Sequence, residues 1–363
     1  MQDTFTHGGN IHEVFRQHKM ASVLDFSANI NPLGLSLHVR KAIEKGIAGI
    51  VHYPDPDGYA LKNSLSAAYD LPADTIVLGN GAAELLYVFF HTVRPRRVLL
   101  PVPSFGEYER AARAAKADIM YHKLIEEEGF VLSPERLCQQ FSAADCVVLG
   151  NPNNPTGKLI SAKDWEKIFS QAEKAGCYLI VDESFMDFID LPEKYSCRFL
   201  MKRYPNCMLL QSLTKFYAIP GLRLGFASLQ PSLARKLELA KDPWNVNSLA
   251  QQAGVAALQD TEYQTKSLSF IQAEKAYLYH ALQQINGIKV YEPSVNFILF
   301  SLQTSGMEAA AFKKQMLQHG IMVRDCSNYP GLHGHFIRIA VKLRNDNEFL
   351  LQTMQKVLKG CQV

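Results

Sequence analysis

The sequence predicts an α/β protein with a large domain on a mostly parallel sheet and a smaller α+β domain. Three observations carry this. From about Thr75, short apolar runs recur at Thr75–Leu78, Arg97–Pro101, Cys146–Leu149, Tyr178–Val181, Met208–Leu210 and Leu224–Ala227. Helical patterns at Ala82–Thr92, Glu107–Ala115 and Ala162–Ala175 separate several of them. Uniformly apolar strands spaced by helices are what a sheet covered on both faces requires. After Trp244 the texture changes: long helical stretches, Ser248–Leu258 and Gln264–Gln284, precede strand-like Asn296–Ser301, Met322–Arg324 and Phe336–Ala340 and a closing helix from Asn345.

The segment before the first strand is different. Residues 1–34 are rich in Gly, Asn and Pro and read as an arm or loop, followed by helical periodicity from His38 to Ile50. The expected division is an N-terminal arm and small-domain segment over 1–45, a large domain over 46–243 and a C-terminal small domain over 244–363, with Asp242-Pro243-Trp244 at the second boundary.

Composition narrows the function. With 363 residues, 47% of them hydrophobic, the chain can bury a substantial core. The net charge of +3 comes without a basic block, which argues against a nucleic-acid partner. No apolar run approaches a membrane span, and Met1–Asn10 lacks the basic start and apolar core of a signal peptide. Seven scattered cysteines, without a C-x-x-C pair, suggest neither a disulfide framework nor a metal site; a reduced, cytoplasmic protein is expected.

Polar motifs follow the strands. Lys215 stands in Ser212-Leu-Thr-Lys215-Phe-Tyr-Ala-Ile-Pro220-Gly221-Leu-Arg223-Leu-Gly225, just past an apolar strand. A lone lysine is ordinarily a solvated surface group. At a strand end, part-buried and near another cation, its amine loses its proton more readily and can attack an aldehyde. Arg223 is suited to a phosphate by its planar fork. Asp182, in Val181-Asp182-Glu183-Ser184-Phe185, ends another strand, where open α/β sheets bind ligands. It can pair with a protonated ring nitrogen; the plainer reading is a helix cap. Gly150-Asn151-Pro152-Asn153-Asn154-Pro155-Thr156-Gly157 is a turn by composition, unusually dense in Asn and Pro. Leu78-Gly79-Asn80-Gly81-Ala82-Ala83-Glu84 lies between a strand and a helix, where backbone amides can hold a phosphate. It is not a dinucleotide fingerprint, because Glu84 occupies the third glycine position.

The order of these motifs resembles fold-type-I enzymes of the class I/II aminotransferase superfamily, which use pyridoxal 5′-phosphate (PLP), and the resemblance runs over nearly the whole chain. It implies a large domain with a seven-stranded sheet and a homodimer with shared active sites. Lys215 would carry the cofactor and move protons. Asp182 would hold the pyridine nitrogen and Asn154 the ring oxygen. Gly81, Ala82, Ser212 and Arg223 would bind the cofactor phosphate. Phe105, in Pro103-Ser-Phe-Gly, would stack on the ring, and Tyr53, in His52-Tyr53-Pro54-Asp55, would reach the partner's site. Arg338, in Phe336-Ile-Arg338-Ile-Ala, would take a substrate acid group. One departure is Phe185, where many relatives carry a tyrosine that bonds the ring oxygen.

Two subgroups look closest. Histidinol-phosphate aminotransferases share the Tyr-Pro-Asp and Lys-Phe-Tyr-x-x-x-Gly-Leu-Arg textures. The L-threonine-O-3-phosphate decarboxylases of cobalamin biosynthesis are the closer match, through His7-Gly-Gly-Asn10, Asp25-Phe-Ser-Ala-Asn-Ile-Asn-Pro-Leu-Gly34, Pro243-Trp-x-Val-Asn247 and Asn328-Tyr-Pro-Gly-Leu332. This resemblance implies decarboxylation of a phosphorylated amino acid, with His7, Asn31, Arg324 and Arg338 as candidate substrate ligands. Without the resemblance, His7 would be an unremarked residue of a terminal arm, and the two arginines ion-pair partners. O-phosphoserine decarboxylation stays open, since one methyl contributes only about 1 kcal/mol of discrimination. A PLP-fold regulator without catalysis is the remote alternative.

Overall fold

Apolar strands buried on both faces pair most readily with each other, and six of them, with one more polar edge strand, form the seven-stranded central sheet of the computed structural model, which describes residues 7–18 and 22–359. In chain order the structure begins with α1 (Ile11–His18), β1 (Leu24–Asp25), α2 (Leu37–Gly46) and α3 (Tyr59–Tyr69). There follow β2 (Ile76–Gly79), α4 (Ala82–Val93), β3 (Arg97–Val102), α5 (Gly106–Ala114), β4 (Asp118–Lys123), α6 (Pro134–Cys138), β5 (Cys146–Gly150), α7 (Ala162–Lys174), β6 (Tyr178–Asp182), β7 (Cys207–Ser212) and β8 (Gly225–Leu229). The sheet order is β2-β8-β7-β6-β5-β3-β4. All pairings are parallel except those of β8, which runs antiparallel to both β2 and β7. The strand the sequence did not announce is β4. It forms one edge, and its residues Asp-Ile-Met-Tyr-His-Lys are mostly part-exposed, so it carries no continuous apolar run.

This order creates a switch point. From β3 the chain moves outward to β4, then crosses to the opposite side of β3 to lay down β5, β6 and β7. The loops after β3 and β5 therefore diverge and leave a crevice at the carboxyl ends of the strands. Asn153 Nδ2 donates to the Pro103 carbonyl at 2.9 Å and joins the two loops across it.

The remaining elements are α8 (Pro231–Ala240), α9 (Ser248–Gln259), α10 (Thr261–Gln283), β9 (Lys289–Val290), β10 (Phe297–Ser301), α11 (Ala309–Gln318), β11 (Ile321–Met322), β12 (Arg324–Asp325), β13 (Phe336–Ala340) and α12 (Arg344–Lys359). Strands β12-β13-β10-β9 form an antiparallel sheet, and β1 pairs in parallel with β11. The N-terminal segment thus joins the C-terminal part of the chain. Helix α9 packs on α2 and α3, where Gly254 comes so close to Leu61 and Leu224 that a Cβ would clash.

Behind Asp182 lies a buried charged cluster. Glu183, 0% exposed, accepts from Ser196 Oγ at 2.8 Å and the Cys197 backbone N–H at 2.8 Å, with Arg198 Nε 3.3 Å away. Asp187 accepts from Tyr69 Oη and Gln211 Nε2, each at 3.0 Å, and the Arg198 guanidinium lies 4.7 Å over the Tyr69 ring. Burial pushes both carboxyls upward, and the charge of Arg198 opposes it in each. Removing one partner of such a cluster leaves uncompensated charge in a poor solvent. Arg198→Leu should lower stability by about 3 kcal/mol, measured as a fall in the urea midpoint with an unchanged slope; an unmoved midpoint would show that the acids are already neutral or solvated.

Candidate active site

The crevice opens into a cavity of about 510 Å³. His7, Ala82, Phe105, Asn154, Asp182, Ser212, Lys215, Arg223 and Arg338, all singled out from the sequence, line it. Most of them stand at strand ends or helix starts along the same edge of the sheet, while Arg338 comes from β13 and His7 from the N-terminal arm.

Asp182 is the last residue of β6 and sits in register between Gly150 of β5 and Leu210 of β7. Tyr108 Oη donates to its Oδ2 at 2.8 Å, and the Ser184 backbone N–H donates to Oδ1 at 2.9 Å. The carboxylate is therefore held from two directions. Tyr108 was not foreseen; it stands one helical turn after Phe105, a spacing that puts both on one face. The two rings meet edge to face at 5.5 Å.

Lys215 lies three residues beyond Ser212, the end of β7, with Nζ 5.4 Å from the Phe185 ring centroid. Burial pulls its pKa down to about 8; the Asp182 charge opposes this and the Arg223 charge reinforces it. The lysine backbone is tethered too, since its carbonyl accepts from the Asn31 N–H at 3.0 Å. Beside it the hydroxyls of Ser212 and Thr214 bond to each other at 2.7 Å.

Helix α4 opens toward the same cavity. Gly81 precedes it with φ +84°, and a Cβ there would stand 2.4 Å from Arg223 Nη2. The positive φ favours glycine here, and its lack of a side chain lets the Arg223 guanidinium come close. Gly225 plays a matching part, since a Cβ on it would lie 2.5 Å from the Ala82 nitrogen. Free amide hydrogens at a helix start beside an arginine make an anion cradle.

Opposite, Arg338 Nη1 donates to Asn154 Oδ1, and Nη2 donates to the Ser27 carbonyl at 2.7 Å. Its Nε is buried without a partner, as is the hydroxyl of Ser184. Arg324 sits directly across from Arg338 in the β12–β13 register. Both are buried, at 7% and 5% exposure, and among the described residues neither has a carboxylate partner. Like charges opposite one another are unfavourable, so this pair calls for an anion.

Four expected residues are placed elsewhere. Gly81 acts from behind the wall, as described. Arg324 is off the cavity wall; its guanidinium covers the Tyr329 ring at 5.1 Å and donates to Asn328 Oδ1 at 2.7 Å, while Tyr329 itself is on the wall. Asn31, expected among the substrate ligands, is taken up by the fold instead: Nδ2 donates to the Phe216 carbonyl and Ser267 Oγ, each at 2.8 Å, and Oδ1 accepts from the Leu33 N–H. It fastens the lysine loop. Tyr53 is 79% exposed and stacks on Trp244 at 4.6 Å, outside the cavity.

This combination of a strand-end carboxylate, a lysine whose pKa burial lowers and a helix-start anion cradle coincides with a family match over residues 21–352, to the model described as aminotransferase class I and II. The chain belongs to this family. Among its relatives, the threonine-phosphate decarboxylase of Salmonella typhimurium is 35% identical over 98% of this chain and 97% of its own length. The histidinol-phosphate aminotransferase structure from Clostridium acetobutylicum superposes with a TM-score of 0.87 at 31% identity, covering 93% of this chain and all of that one. The L-threonine-O-3-phosphate decarboxylase structure from Porphyromonas gingivalis superposes with a TM-score of 0.82 at 26% identity, over 93% of this chain and all of that one. Fold and motif order in this family member therefore agree with what the sequence implied.

A buried amine with a pKa near 8 has about a tenth of its molecules neutral at pH 7, against about one in 3,000 for an ordinary lysine. Only the neutral amine attacks an aldehyde. Borohydride-trapped attachment of PLP to Lys215 should accelerate about tenfold per pH unit below pH 8 and level off above it. A rate still climbing toward pH 10 would mean a solvated lysine.

Proposed function

We propose that this chain is a PLP-dependent carboxy-lyase that converts L-threonine O-3-phosphate to (R)-1-amino-2-propanol O-phosphate for the nucleotide loop of cobalamin. The observation that carries the reading is the pair of buried arginines in register, Arg324 and Arg338, without an acid between them and next to the lysine cavity. They suit a substrate with two acid groups, a carboxylate and a phosphate. The 35% identity to a threonine-phosphate decarboxylase over nearly the full length supports the same choice.

The residues fit PLP. Lys215 offers a reactive amine, Asp182 a fixed carboxylate for the pyridine nitrogen, and the Gly81–Arg223 cradle takes the phosphate together with Ala82 and Ser212. Asn154, whose Oδ1 is held by Arg338, keeps its amide nitrogen for the ring oxygen, the bond Phe185 cannot make. Phe105 covers the ring. PLP supplies an electron sink for the pair left at Cα when carbon dioxide departs.

The protein decides which Cα bond breaks. Arg338 would bind an acid group from the cavity wall, with Arg324 adding its charge from behind Tyr329, and holding the remote phosphate would fix the rotation about N–Cα. That placement would favour loss of the carboxylate over loss of the Cα hydrogen. Lys215 Nζ returns a proton to Cα. Burial of this wall keeps water from competing for that proton. The described cysteines are all free and buried, which supports a reducing compartment, and we place the enzyme in the cytoplasm.

Each site is completed by a second copy. Ile50, Val51, Tyr53 and Tyr59 form an exposed apolar surface around the α2–α3 connection, and a two-fold axis there lends Tyr53 to the partner's phosphate cradle.

Incubated with O-phosphothreonine and no keto acid, the holoenzyme should release carbon dioxide continuously. Rapid amino transfer from histidinol phosphate that depends on 2-oxoglutarate would assign it to the aminotransferases instead. The shared site makes a separate forecast. Lys215→Ala and Tyr53→Ala, each nearly inactive alone, should regain part of the activity when unfolded and refolded together, because one site of the mixed dimer collects neither lesion. No recovery on mixing would confine Tyr53 to its own chain.

A further inference from the structure

The N-terminal arm is anchored at two points, and only one concerns its backbone. At Ser27 the arm fits closely: the Gly9 N–H donates to Ser27 Oγ at 2.8 Å, and a Cβ on Gly8 would lie 2.2 Å from the Ser27 carbonyl oxygen. Ser27 is itself held by Asp25 Oδ1, which accepts from its N–H at 2.7 Å and its hydroxyl at 2.6 Å. The second anchor is the imidazole of His7, whose Nε2 lies 2.6 Å from Glu107 Oε1. Its ring also leans on Phe105 at 5.6 Å.

Glu107 is unusual in its place. It lies in the first turn of α5, two residues past Phe105, and is 8% exposed. Tyr87 Oη donates to Oε2 at 3.3 Å and Arg110 Nη1 to Oε1 at 3.3 Å. Burial alone would raise its carboxyl; the hydrogen bond and charge of His7, with Arg110, bring it below the ordinary range. The negative helix-start residue is thus ionised and favours a donor from the arm. The imidazole engages Glu107 through Nε2, and among the described residues no hydrogen bond occupies Nδ1, while His7 lines the cavity.

We propose that Glu107 is a positioning residue: it docks the N-terminal arm through His7 Nε2 and so holds the ring at the cavity, where the imidazolium form meets the phosphate of the substrate through Nδ1–H. This deepens the reading of His7 as a ligand of a phosphorylated amino acid and rests on it. A carboxylate that accepts from one ring nitrogen fixes the orientation of the ring and favours the imidazolium, in which both nitrogens donate. Glu107 lies off the cavity wall that His7 lines, and it acts through His7.

The test is a double-mutant cycle in the PLP-loaded enzyme. Glu107→Gln keeps the side-chain volume and removes the charge; Glu107→Ala removes both. Each should raise KM for O-phosphothreonine about tenfold, the loss of one charge-assisted hydrogen bond, and leave kcat nearly unchanged. In a His7→Ala background neither should add a further rise. Amide hydrogen exchange across residues 8–11, measured without substrate, should quicken in Glu107→Ala and in His7→Ala to a similar extent. Additive losses in the double variants, an unchanged KM, or arm amides that stay protected in Glu107→Ala each overturn the proposal. Should the wild type fail to turn over O-phosphothreonine, the substrate reading fails by itself, and the exchange measurement still decides whether Glu107 docks the arm.

Discussion

Ser27 is the point on which the site depends. Its carbonyl accepts from the buried Arg338 guanidinium and closes against Gly8, while its hydroxyl takes the Gly9 N–H. The loop around it is fastened on every side: the Phe26 N–H donates to Met322, the Ala340 N–H donates to the Phe26 carbonyl, and Asn296 Nδ2 donates to the Asn29 carbonyl. Asn31, at its end, grips the lysine segment through both backbone and side chain. A loop without regular structure must satisfy its backbone groups somewhere, and here it does so by joining the arm, the C-terminal sheet and the lysine loop. Those three meet only because this segment lies between them.

Electrostatics gives the cavity its character. Lys215, Arg223 and Arg338 stand on its wall with the carboxylates of Asp182 and Asp25, and Arg324 adds a further cation behind Tyr329. The two buried arginines of the β12–β13 pair are held by neutral oxygens, Asn154 and Ser27 for Arg338 and Asn328 for Arg324. Neutral acceptors orient a guanidinium without cancelling its charge. The charge stays available to a ligand, and burial makes it more effective than it would be in water. The same desolvation that sharpens the arginines brings Lys215 into the neutral range.

Much of this was legible in the chain itself. The buried strands showed as apolar runs, and the motifs at their ends are the residues lining the cavity. What was not legible has particular causes. Strand β4 is an edge strand with a mixed pattern, so periodicity does not mark it. Tyr108 and Glu107 look like ordinary residues of an amphipathic helix, and only the arrival of Asp182 and His7 from distant segments gives them partners. Asn31 shares a motif with Ser27, Ala28 and Asn29, which line the cavity, but its side chain faces Phe216 and Ser267, a direction no linear pattern encodes.

The sequence by itself determined the class of fold, the order of strand-end motifs and the chemical types at the site: an amine, a carboxylate, a helix-start glycine and arginines for acid groups. These are local facts, because a strand, a tight turn or a helix start depends on neighbours along the chain. The tertiary structure alone decided that Arg324 and Arg338 lie side by side, that Arg324 stands behind Tyr329, that Tyr53 faces away from its own cavity, and that Glu107 meets His7. Each of these joins residues far apart in the chain or depends on which way a side chain faces. Strand register, burial and the closure of loops fix such relations, and those arise only when the whole chain packs.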